Sequence, residues 1–208
     1  MKKIPSKIIA NAFDYAAYRQ LIDDLFAQEK TTGTDHSQSM LDYTKQNLAR
    51  MNRLDKRARL TPPTIEKLQS IDKAQIWLVI TEGWCGDAAQ IVPVLHKMAA
   101  ENALIDLKFI LRDKNLDVID AYLTNGGRSI PKVLILDADT LEVLHDWGPR
   151  PAEMQAMMMD AKAKKLATED KNLQKQINQE SNQQLHLWYA KDKTRTTQTE
   201  FLQEVMGA

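Results

Sequence analysis

The stretch Thr81–Gln90 reads T-E-G-W-C-G-D-A-A-Q, and it holds the only cysteine of the 208-residue chain, Cys85. Upstream lies the apolar, β-branched and aromatic run Ala74–Thr81 (A-Q-I-W-L-V-I-T). A continuous run of this kind fits a strand buried on both faces of a largely parallel sheet. Downstream, Ala88–Ala100 follows a helical pattern. A strand running into a helix puts Cys85 at the helix N-terminus, where unpaired N–H groups and the dipole favour a thiolate. A dithiol site would need a second cysteine three residues on, and that position is Ala88.

Working outward, Ile105–Leu111 alternates and reads as a strand. Leu116–Leu123 reads as a short helix ended by Asn125-Gly126-Gly127. Val133–Leu136 and Leu141–Trp147 read as a hairpin joined by Asp137-Ala138-Asp139-Thr140. Pro93 predicts a kink in the helix that follows Cys85. This order predicts an α/β sheet with an antiparallel edge.

Two amphipathic helices are predicted before Thr61-Pro62-Pro63. The first carries Phe13, Ala17, Tyr18, Leu21 and Leu25, with Asn11 or Asp14 as its cap. The second runs over Ser39–Arg59, with an apolar stripe of Met40, Tyr43, Leu48, Met51 and Leu54. Thr61 caps a short helix reaching Ile71. After Pro151 a helix rich in Ala, Met, Lys and Gln is expected from Ala152 to Gln179, interrupted at Ser181 or Asn182. A last segment anchored by Trp188-Tyr189 follows. The expected organisation is a helical extension over 1–60, an α/β domain over 61–165 and a helical extension over 166–208.

Lys and Arg total 28, as do Asp and Glu. Zero net charge argues against general attraction to nucleic acid or an anionic membrane. Lys2-Lys3 and the run Arg50, Arg53, Lys56, Arg57 and Arg59 are local basic patches, the second read as a solvated helix face. No segment reaches the roughly 20 apolar residues that span a bilayer. The basic N-terminus has only a short, interrupted apolar part, so no secretory signal is expected and the cytoplasm is the expected compartment. One cysteine excludes an internal disulfide and a multi-cysteine zinc site. His36, His96, His145 and His186 lack metal spacing, so no metal and no cofactor is expected.

Trp84-Cys85-Gly86-Asp87, then Ile130-Pro131 in G-G-R-S-I-P-K-V-L-I-L and Gly148 after the hairpin, resemble the thioredoxin family over about residues 62–165. They look like a bacterial branch with a Trp-Cys-Gly-Asp motif. The resemblance implies a thioredoxin-like fold with extra helices at both ends. It also implies that Cys85 is the nucleophile, that Trp84 flanks it, and that Gly86 and Asp87 belong to the substrate-binding turn. Pro131 would be cis, and Ile130 would offer its backbone to an extended peptide. Arg128 would then lie near the groove, and Glu82, before the turn, would be solvated. Asp87 would stabilise the helix start while opposing a thiolate. The family's buried acid, six residues before the first cysteine, is replaced by Val79.

Three readings stay open, with a thiol-dependent redox role for Cys85 preferred and binding without turnover as the alternative. Cys85 could form a mixed disulfide with a protein or peptide that an external low-molecular-weight thiol such as glutathione resolves. It could be a thiol redox sensor. Or the fold could be a non-catalytic module binding a protein or peptide. The first two need a depressed thiol pKa; a value at or above about 8.5 favours the third.

Overall fold

A computed structural model describes residues 3–206. Lys2, half of the N-terminal basic pair, lies outside the described residues. The elements are α1 (Ser6–Ala10), α2 (Tyr15–Ala27), α3 (Gln38–Arg57), α4 (Pro62–Gln69), β1 (Gln75–Thr81), α5 (Gly86–Ala99), β2 (Ile105–Leu111), α6 (Leu116–Ile119), β3 (Lys132–Asp137), β4 (Val143–Trp147), α7 (Ala152–Leu166), α8 (Lys171–Asp192) and α9 (Arg195–Met206). The sheet order is β2-β1-β3-β4. Only β1 and β2 are parallel; β3 runs antiparallel to both β1 and β4. The sheet is the central mixed sheet flanked by helices that the resemblance implies, with its expected antiparallel edge at β4. The apolar run in β1 reflects its central position, with both faces covered.

Local chemistry sets the boundaries. Asp14, not Asn11, caps α2 by accepting from the Ala17 N–H at 2.7 Å. Thr61 caps α4, with proline in the first turn. Asp137 Oδ1 accepts from the Asp139 and Thr140 N–H groups and the Thr140 hydroxyl, closing the β3–β4 turn. The long helix expected after Pro151 breaks at Ala167–Asp170, because Asp170 accepts from the Asn172 N–H at 2.8 Å and starts α8 there. Ser181 does not interrupt α8. It is buried within the helix, its hydroxyl donating to the Asn178 carbonyl at 3.2 Å.

Residues paired in register share a sheet face. Trp77, Val79 and Phe109 therefore lie with Val133 and Trp147 on one side. Phe201 of α9 meets Trp77 and Trp147 edge to face, at 4.8 and 5.6 Å between ring centroids. Tyr18 of α2 stacks on Phe109 at 5.0 Å. The end helices are thus part of the core. Phe13 also exchanges backbone hydrogen bonds with Phe109 on edge strand β2. The buried face of α3 is Thr44, Asn47, Met51 and Leu54, while Tyr43 is exposed. Two polar residues take the place expected for an apolar stripe, because Asn47 Nδ2 donates to the Gly83 carbonyl at 3.0 Å. Among the described residues no helix is long and apolar enough to cross a membrane.

Candidate functional site

The end of β1 delivers Glu82 and Gly83 to the turn, and Cys85 is the N-cap residue of α5. Glu82 is fully buried, not solvated as expected. It accepts from the Thr32 hydroxyl and, at 3.0 Å, from the Asp113 N–H. Burial pushes its pKa up against those two hydrogen bonds. The Thr32 hydroxyl also accepts from the Gly83 N–H at 2.9 Å, so the loop before α3 braces the turn. In the same loop, a Cβ on Gly33 would sit 2.7 Å from Trp84 Nε1. Trp84 is half-buried, with the Arg112 guanidinium 4.8 Å from its ring.

The Ile130–Pro131 bond is cis. The Cys85 thiol donates to the Ile130 carbonyl at 3.2 Å. Gly148 lies behind this loop at φ +116°, where a Cβ would come 2.3 Å from the Pro131 oxygen. Only glycine permits so close an approach at that φ.

Cys85 is 8% exposed. Burial, then the Asp87 carboxylate, push its pKa up to about 12, against the Ala88 and Asp87 N–H groups and the Arg150 guanidinium. The expected thiolate at a helix start is therefore overturned: desolvation and a fixed neighbouring charge outweigh the helix N-terminus. Asp87 is held by Arg150, whose Nε and Nη2 donate to Oδ2 at 3.0 and 2.6 Å, and by the Tyr189 hydroxyl, which donates to Oδ1 at 2.8 Å. Burial works against the charge of Arg150, yet Asp87 holds its pKa above the ordinary value. Removing one partner from a buried ion pair of this kind costs about 3–5 kcal/mol.

Trp84, Cys85, Gly86 and Asp87 line a cavity of about 740 Å³ walled by α3 and α8. Ile130 and Pro131 are buried and do not line it, and the Ile130 carbonyl is already taken by the thiol. Arg128 forms a two-pronged pair with Asp120 at 2.5 and 2.8 Å, and the cation that acts on Cys85 is Arg150. Arg50 and His186 also line the cavity. Arg50 donates to Asn47 and to His186 Nε2 at 2.8 and 3.2 Å and has no carboxylate in an ion pair among the described residues. Burial, then Arg53, lower its pKa against the pull of Asp87. Because Nε2 accepts, the proton of neutral His186 sits on Nδ1, which is buried and lacks a partner. Burial, then Arg50, hold His186 below its ordinary pKa.

Sequence reasoning missed Arg50, Asn47, Arg150 and His186 as site residues, and took Tyr189 as an anchor of the C-terminal segment with peptide docking as the alternative. The one signal for Arg150 was its place in W-G-P-R-P, directly after the hairpin. Among the described residues no group of three His, Cys, Asp or Glu could hold a metal ion.

Among solved structures, the chain is similar to a protein of unknown function from Pseudomonas aeruginosa. The two are 18% identical with a TM-score of 0.63, over 100% of this chain and 99% of that one. It is also similar to an HIV epitope-scaffold, at 19% identity and TM-score 0.59 over 98% of each chain. Both likenesses concern the fold, and they extend through the end helices. No curated protein matches the chain. The family model described as thioredoxin matches residues 33–168, which takes in α3 as well as the sheet. With that match over more than half of its length, the chain belongs to the thioredoxin family.

Proposed function

We propose that the chain is a thioredoxin-fold binding protein in which the cavity over Cys85 receives a peptide end or similar ligand bearing a carboxylate. The observation that carries this reading is the state of the thiol. It is buried, it donates to the Ile130 carbonyl, and it stands beside a carboxylate locked by Arg150 and Tyr189. Ala88 supplies no resolving group. Arg50, which lines the cavity and forms no ion pair among the described residues, gives it a donor for an anionic acceptor.

The thiol's own chemistry is the test. Iodoacetamide alkylation of the wild type near neutral pH should be at least tenfold slower than that of a free thiol with pKa about 8.5. Its rate should keep rising with pH towards about 12. A rate equal to or above the free-thiol value would defeat this reading.

One observation favours monothiol exchange instead: Cys85 itself lines the cavity. In that reaction the Cys85 proton leaves to a base and the thiolate attacks one sulfur of a disulfide. A mixed disulfide forms and the other sulfur departs as a thiolate. A low-molecular-weight thiolate such as glutathione then attacks the substrate sulfur of the mixed disulfide, forming a new disulfide with it and expelling Cys85 as a thiolate that takes up a proton. Covalent adducts from cell extract under mild oxidation, present in wild type and absent in Cys85→Ser, would support it.

A further inference from the structure

A second cavity, of about 620 Å³, lies beyond Tyr189 from the thiol site. Its lining holds Arg53, Arg57, Arg59, Lys193 and Arg195, and no Asp or Glu. None of these cations forms an ion pair among the described residues. Arg59 alone spends donors on the chain, giving Nη1 to the Lys56 and Ala58 carbonyls at 3.1 and 3.0 Å. Acids and bases balance over the whole chain, so a general excess of base does not explain this grouping. Like charges gathered without counter-charges repel one another.

Helix dipoles explain only part of it. Arg57 lies in the last turn of α3, where a cation is favoured. Arg195 opens α9, where the helix N-terminus is itself positive and a cation is disfavoured. Lys193 and Thr194 take left-handed φ values of 52° and 70°, and this turn carries the second set of cations to the rim facing α3. The sequence run 50–59, read above as a solvated face, thus meets basic residues from the far end of the chain. Leu54, Leu60, Pro62 and Tyr189 add apolar surface, and Thr61, Gln90 and Thr194 add polar groups. A cationic rim around an apolar floor suits a ligand with several negative charges at one end and a flat or apolar body at the other.

We propose that this cavity binds a small phosphorylated molecule of the nucleoside diphosphate class, its phosphates on the arginine rim and its base against buried Leu54 and Tyr189. The proposal is independent of how Cys85 is used. Tyr189 nonetheless joins the two cavities, since it lines this one and its hydroxyl holds Asp87 in the other.

Isothermal titration of the full-length protein with ADP, pyrophosphate and adenosine tests it. ADP should bind saturably, pyrophosphate more weakly, and adenosine not measurably. ADP affinity should fall as salt rises. The variants Arg57→Gln and Arg195→Gln should each weaken ADP binding about tenfold. Both side chains are exposed and stand among like charges, so the thermal midpoint without ligand should not fall appreciably. Absence of saturable ADP heat, equal affinity of the variants and wild type, or tighter binding of a short single-stranded oligonucleotide than of ADP would each overturn the proposal.

Discussion

At the scale of residues, Cys85 controls how stability depends on alkaline pH. The folded thiol keeps its proton to about pH 12. In the unfolded chain it loses that proton near about 8.5. Between these values the folded state binds more protons, so stability falls as pH rises; below the unfolded value the contribution is fully present. The slope from this one group is about 1.4 kcal/mol per pH unit at most. Urea unfolding of wild type and Cys85→Ser, compared at neutral pH and at moderately alkaline pH, should show the wild type losing stability relative to the variant. The buried tyrosines titrate in both proteins and cancel. The contiguous residues Trp84–Asp87 could be read as a motif because their spacing is local. Arg150 and Tyr189 could not: they lie 63 and 102 residues from Asp87 and no periodicity points to them. The direction of the thiol's shift escaped the sequence for the same reason, since it depends on what covers Cys85.

At the scale of elements, the hairpin end and the loop before β3 form one unit through Gly148. The variant Gly148→Ala would drive a methyl group against the Pro131 carbonyl at an unfavourable φ, and should cost about 2–4 kcal/mol. Its urea midpoint should drop, and Cys85 should alkylate faster as the Ile130 carbonyl is displaced; an unchanged midpoint would contradict the close approach described. Strand positions were visible in the sequence where runs were apolar and bounded, as in β2, which matches Ile105–Leu111 end to end. The α7–α8 break was not visible, because Ala167–Asp170 contains neither Gly nor Pro and is held by side-chain bonds of Asp170, Thr168 and Gln174. The buried face of α3 was misread because Thr44 and Asn47 are buried for their hydrogen bonds, which hydrophobic periodicity does not register.

At the scale of the whole molecule, the family match ends at residue 168, yet Leu185, Tyr189, Phe201, Leu202 and Val205 beyond it are buried in the same core. The fragment 33–168 should therefore lack a cooperative thermal transition, whereas residues 1–208 should unfold in one. Circular dichroism melts of the two decide this, and a sharp transition in the fragment would show that the end helices are accessory. The bond between Tyr189 and Asp87 also has a meaning in time. Its partners are 102 residues apart, and ribosomes add about 5–20 residues per second. Each newborn chain therefore carries an uncovered Cys85 for roughly 5–20 s before the C-terminal helices exist to enclose it.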